Sequence, residues 1–158
     1  MSGTEALAAF RVVLRVRRAM RETRDASALL RSLTPGSALA TKKGGVVSRL
    51  RLVRAILRLV RLLPVNEKGD CLLRSLAIYT ALRERGWPAV LVTGVRREAT
   101  GVVGHAWVEL GGRVLPELKE PHNRARYRES FRYPPKGREP VREGAEYSPG
   151  AGAEARPG

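Results

Sequence analysis

The sequence predicts an α+β chain in which N-terminal helices precede one further helix and a small antiparallel sheet. Three observations carry this prediction. Apolar and arginine residues recur at helical spacing between residues 5 and 63, with one Pro/Gly break. Asp70 to Gly86 begins with a capping residue and ends with a glycine stop. After Gly86 the chain turns to β-prone runs separated by glycines. At 158 residues it suits one domain, on a prior of about 150 residues per domain. Only 5% of residues are aromatic although 43% are hydrophobic, so the interior must be built mainly from Leu, Val and Ala.

Residues 5–32 read as one or two helices, because Arg11, Arg15, Arg18 and Glu22 recur at spacings of three and four while Phe10, Val13, Leu14 and Met20 fall largely elsewhere. Thr34-Pro-Gly-Ser37 and Lys42-Lys-Gly-Gly45 interrupt the pattern. A second helical stretch runs from Val46 to Leu63 and is ended by Pro64. Arg51, Arg54, Arg58 and Arg61 form one stripe of it, beside an apolar face that includes Leu50, Val53, Leu57 and Val60. Asp70 to Gly86 is the clearest helix, with Leu72, Leu73, Leu76, Ala77 and Leu82 as its apolar face.

Ala89 to Val95 is apolar on both faces, as expected of a central strand covered on each side. Arg96 to Gly104 reads as a loop. In His105 to Leu110, His105, Trp107 and Glu109 alternate with Ala106, Val108 and Leu110, and the second set is expected to face the core. Gly111-Gly112 forms a hairpin, and Arg113 to Glu117 returns as an edge strand, since Pro116 cannot donate to a ladder. The expected organisation is a basic helical region (1–65), a core (66–120) and a tail (121–158) whose Pro, Gly and charged residues bury too little surface to order much of it.

The net charge of +15 is uneven: residues 1–65 carry 14 basic and 3 acidic groups, residues 66–120 carry 8 and 7, and residues 121–158 carry 8 and 5. The stripe from Arg51 to Arg61 reads first as a solvated helix face. Its second reading is a docking surface for an acidic partner, with nucleic acid and membrane surface behind that. No aromatic residues interleave with these arginines to form a stacking platform, so nucleic-acid binding is unsupported. Arginines interrupt both apolar stretches, which argues against a signal peptide and a membrane span and makes a soluble, cytoplasmic protein the expectation. One cysteine rules out an intramolecular disulfide, one Cys with two His makes no credible zinc site, and no cofactor is expected.

The chemistry-bearing residues fall in the near-neutral middle. Cys71, the only cysteine, sits in the first turn of the helix that Asp70 opens. There the unpaired backbone N–H groups and the positive end of the helix dipole lower a thiol's pKa and offer oxyanion donors. His105, thirty-four residues downstream, is the candidate base. Glu117 is the candidate orienter of its imidazole. A two-residue loop at Gly111-Gly112 would pair Ala106 with Glu117 and turn that carboxylate to the face opposite His105; a three-residue loop, Leu110 to Gly112, would pair His105 with Glu117 about 5 Å apart on one face. The odd-length loop, or an equivalent bulge, is therefore expected. Glu109 shares the face of His105 but lies about 13 Å along the strand. His122 reads as a surface histidine.

The combination Cys71-Leu-Leu-Arg-Ser-Leu-Ala-Ile-Tyr79, Arg83-Glu-Arg-Gly86, Gly94-Val-Arg96 and His105-Ala-Trp-Val-Glu109 with Gly112-Arg113 resembles the leader peptidases of lasso-peptide biosynthesis, over about residues 46–120. That resemblance implies a transglutaminase-like, papain-related fold and a Cys-His-Asp triad that removes the leader from a ribosomally made precursor. It matches Cys71 to the nucleophile and His105 to the base. Glu117, twelve residues on, stands where the family usually has Asp, with Glu120 in reserve. Arg74 and Ser75 belong to the motif; Ser75, one turn after Cys71, can hydrogen-bond near the site or serve only the helix surface. Residues 1–65 lack the strands of a fused recognition module, so the resemblance is to the stand-alone form. It implies three partners: the precursor's leader, a separate leader-binding protein and the lasso cyclase that closes the ring. Two other readings remain open: acyl transfer to an amine by the same three residues, and a non-catalytic basic protein that binds peptide or nucleic acid.

Overall fold

The computed structural model describes residues 3–35, 45–64, 70–115 and 126–135; Glu117, Glu120 and His122 lie outside them. Four helices, α1 (Gly3–Glu22), α2 (Ala26–Leu33), α3 (Val46–Leu62) and α4 (Cys71–Glu84), precede four strands, β1 (Ala89–Glu98), β2 (Gly101–Leu110), β3 (Arg113–Val114) and β4 (Arg128–Tyr133). The fold is α+β, as expected. Among the described residues no helix is long and apolar enough to cross a membrane.

The first helical stretch resolves into two helices. Asp25 starts α2 by accepting a hydrogen bond from the Ala28 N–H at 2.6 Å, so a side-chain cap marks the restart. Ala9, Val12, Val13 and Val16 of α1 and Leu52, Ile56, Leu57 and Val60 of α3 turn inward, while Arg51, Arg54, Arg58 and Arg61 stay exposed. Both helices pack on α4. Every residue from Ser75 to Leu82 of α4 is buried, the mark of a helix enclosed on all sides rather than one with a single apolar face. Its end is a Schellman motif: Gly86 takes φ +74°, its N–H bonds to the Arg83 carbonyl, and the Trp87 N–H bonds to the Leu82 carbonyl.

The sheet is antiparallel, in the order β3-β2-β1-β4. β1 is a central strand, as its two-sided apolar pattern predicts. Three expectations are corrected here. The loop expected at Arg96 to Gly104 is strand for most of its length, because β1 and β2 pair from Ala89↔Leu110 to Glu98↔Gly101 around a tight turn. The tail is ordered at Arg128–Tyr133, which pairs with β1 and buries part of its apolar surface: the Tyr133 ring meets Tyr79 edge-on at 6.2 Å. Finally, the hairpin after β2 has two loop residues. Leu110 pairs with Arg113, and Gly111 and Gly112 take φ +58° and +73°. Two successive left-handed residues are the requirement of a two-residue type I′ turn, which two glycines meet without strain. The Leu115 N–H continues this register to the Val108 carbonyl at 2.9 Å.

Candidate active site

Cys71 is half-buried at the first position of α4. Asp70 occupies the N-cap position but makes no side-chain capping hydrogen bond, a correction to the expected cap. Its backbone is helical (φ −84°, ψ −7°) rather than extended, and the extended form is what aims a capping side chain at the first turn. The first intrahelical bond runs from the Arg74 N–H to the Asp70 carbonyl, so the N–H groups of Cys71, Leu72 and Leu73 have no acceptor within the helix. Donors at a helix start are suited to an anion that forms beside the thiol.

The start of α4 is registered on β2 through Ala106. Ser75, one turn after Cys71 and 1% exposed, donates its hydroxyl to the Ala106 carbonyl at 2.8 Å. Of the two roles open to it, Ser75 thus takes the buried one. Ala106 also bonds through its backbone to the Cys71 sulfur. In the alternation of an antiparallel ladder, these groups point to the edge of β2 beyond the end of β3. The helix start therefore occupies backbone positions that a longer β3 would use.

This register brings His105, the residue before Ala106, to the thiol. The Cys71 thiol is held below its usual pKa, chiefly by its hydrogen bond with His105. Desolvation pushes the other way, and the Ala106 backbone bond, the His105 charge and the Arg74 charge add to the lowering. A thiol poised in this way has more thiolate near neutral pH than an ordinary cysteine.

The His105 ring lies among aromatic rings. Trp107 stacks with it at 6.1 Å between centroids, Tyr127 lies 5.1 Å away, and the Arg96 guanidinium covers the Tyr127 ring at 5.0 Å. Trp107 is itself anchored. Its indole N–H donates to Glu109 at 3.2 Å, and Glu109 accepts from Arg132 at 2.8 Å, which also pairs with Glu129. Trp107 and Glu109 are 2% and 3% exposed, so both faces of β2 are buried here, not only the face carrying Ala106 and Val108. Glu109 thus accepts from both Trp107 and Arg132.

Gly94, paired with His105 across the ladder, sits under this arrangement: a Cβ there would meet the Arg128 carbonyl and the Trp107 ring at 2.9 Å each. Cys71 and His105, expected together, are together. Glu117 and Glu120 lie outside the described residues, and the loop whose odd length was to bring Glu117 to His105 has two residues instead. Tyr127 went unanticipated. It lies in an arginine-rich stretch that carries no motif, and only the pairing of β4 with β1 brings it to the histidine.

A half-buried thiol at the head of an enclosed helix, hydrogen-bonded to a histidine on an adjoining antiparallel sheet, defines a thiol–imidazole α+β protein. Residues 6–132 match the family model for the transglutaminase-like superfamily, and the chain belongs to that superfamily. Proteins of this fold are commonly cysteine proteases and acyltransferases. Searches of curated proteins and of solved structures return no match.

Proposed function

We propose that this protein is a cysteine peptidase that cleaves the leader from a ribosomally made lasso-peptide precursor and frees the core peptide for a separate cyclase. The observation that carries the chemistry is the hydrogen bond between Cys71 and His105 at the start of α4, with its lowering of the thiol pKa. The Cys71 thiolate attacks the scissile carbonyl, and the first-turn N–H groups of α4 face the developing oxyanion. Protonated His105 gives its proton to the leaving amine as the C–N bond breaks, which leaves a thioester. Neutral His105 then takes a proton from water, the hydroxide displaces the thiolate, and the acid product departs.

The family resemblance alone names Glu117 as orienter of the imidazole, with Glu120 in reserve. A two-residue turn kept in register would carry Glu117 to the face opposite His105, so the assignment to Glu117 requires the chain to leave that register after Leu115. The substrate rests on the same resemblance, carried by the Cys71–Tyr79 and His105–Glu109 motifs. Such stand-alone forms work with a separate leader-binding protein, and the exposed stripe Arg51, Arg54 and Arg58 is proposed as its docking surface. Changing these three together to Glu should reduce processing in the partner's presence; unchanged processing removes that assignment.

Membership of the superfamily also favours a second reading, acyl transfer from the same thioester to an amine. Mass spectrometry of the cognate precursor with wild type and Cys71→Ala, each with and without the leader-binding protein, tests both. Cleavage at one bond by wild type alone, with water added, supports the peptidase. An amine adduct supports transfer, and processing by Cys71→Ala would sink both.

A further inference from the structure

At the C-terminal end of α4, about 20 Å along the helix from Cys71, α1, α3 and α4 enclose a cleft of about 320 Å³. Ala8, Val12, Leu52 and Ala81 supply its apolar lining, and Arg11, Arg15, Glu84 and Arg85 its charged lining. Two alanines contribute to the apolar lining, one from α1 and one from α4, where larger side chains would close the space.

Glu84 is already neutralised by its ion pair with Arg15. Arg11 and Arg85 form no ion pair among the described residues, which leaves two guanidinium charges in excess. The Nη1 of Arg85 is also buried with no hydrogen-bond partner. A buried donor without an acceptor is costly and can be satisfied by an oxygen of a ligand. Nitrogens of Arg49 and Arg96 are buried in the same way, so it is the lining and charge of the cleft beside Arg85 that make it a site. The partial negative charge at the end of α4, about half a unit, is smaller than the excess of the two guanidinium groups.

We propose that this cleft is a binding site for a carboxylate carrying a short apolar body. The guanidinium groups match the two oxygens of a carboxylate, and the apolar lining receives the hydrocarbon. The volume is at the small end for a ligand pocket, which suits one such group. A free short-chain acid and the C-terminal residue of a peptide ending in Leu both present this chemistry. The site is distinct from the thiol and does not depend on what Cys71 does.

Isothermal titration calorimetry on the full chain tests this with four probes: hexanoate, an N-acetylated tripeptide ending in a leucine carboxylate, the same tripeptide as its C-terminal amide, and inorganic phosphate. Hexanoate or the free-acid tripeptide should bind saturably, the tighter of the two identifying the source, and the amide should bind at least tenfold more weakly. Arg85→Gln should weaken binding tenfold or more with its circular dichroism spectrum unchanged, whereas Arg58→Gln, exposed on α3, and Cys71→Ala should bind as wild type. Should Arg85→Gln fail to fold, Arg11→Gln, whose side chain is exposed, gives the same reading. The proposal falls if neither acid binds saturably, if the folded arginine variants bind as wild type, or if phosphate binds as tightly as the acids, since the apolar lining would then have no role.

Discussion

On the side of β2 that meets the helices, Val108 packs with Leu91 and with the buried face of α4, and Tyr133 closes the edge through Tyr79. On the other side, Trp107, Glu109 and Arg132 form a chain of oriented contacts that runs to the His105 ring. The first side is held by area and close packing, which depend little on direction. The second depends on particular donors, acceptors and ring planes, and a change at one member is passed to the next. Cys71 arrives from the first side and His105 belongs to the second, with the backbone of Ala106 between them. Stability and thiol chemistry are therefore separable on this strand.

The largest expected effect is at the histidine. His105→Ala removes the main cause of the lowered thiol pKa, so the pH midpoint of iodoacetamide alkylation of Cys71 should rise toward the ordinary thiol value of about 8.5, and turnover should fall by about a thousandfold or more. The sign for stability follows. An acid whose folded pKa is depressed adds stability that is fully present above its unfolded pKa and is lost as pH falls through the folded value. In urea titrations the stability of wild type relative to Cys71→Ala should therefore grow as pH rises from below the folded thiol pKa to about 8.5. An alkylation midpoint unmoved in His105→Ala would show that the imidazole does not act on the thiol.

Next come matched substitutions on the two sides. Leu91→Ala, on the packed side, should cost about 3 kcal/mol in urea unfolding while leaving the rate of Cys71 alkylation within about twofold. Glu109→Gln, on the oriented side, leaves Arg132 without one of its two carboxylate partners and the indole with a weaker acceptor. It should also cost about 3 kcal/mol, and it should alter the alkylation profile as well. Equal effects of the two on thiol reactivity would break the comparison.

Smaller and sharper is Gly94→Ala. The added Cβ falls 2.9 Å from both the Arg128 carbonyl and the Trp107 ring, so the ring must move. A loss of about 1–3 kcal/mol is expected, together with a change in tryptophan fluorescence and in the alkylation midpoint, because Trp107 stacks with His105. Smallest is Ser75→Ala, which removes one buried donor from the Ala106 carbonyl and should cost about 1–2 kcal/mol with a shift of the helix start. Hydrogen exchange at the first turn of α4 would detect that shift; unchanged protection would mean that Ser75 does not register the helix on β2.

Much of the helical half was legible because its signals are local. Pro64 and Gly86 stop α3 and α4 through restrictions within one or two residues, and the Arg51–Arg61 stripe is exposed as its spacing implies. Cys71 and His105 were legible as a pair because a helix start and a strand carry recognisable patterns. The sheet was read less well. β4 has no strong alternation, and its pairing with β1 shifts register at a bulge between Thr93 and Gly94, which periodicity does not announce. A two-residue loop stands in place of the expected odd-length one: the odd length answers only to the pairing of Glu117 with His105, whereas two successive glycines are the direct local signal for a type I′ turn.

By itself the sequence determined the helices, the near-neutral segment that holds Cys71 and His105, and the placement of a single thiol at a helix start. Backbone sterics, capping and periodicity act over a few residues and can be read without knowing what lies across the fold. Only the tertiary structure decided that Ser75 and the Ala106 backbone seat that helix on β2, that Tyr127 and Trp107 flank the imidazole, and that Arg85 faces a cleft beside α1. Those meetings depend on strand order, register and helix packing, which bring distant residues together through the free energy of the whole core rather than through any local rule.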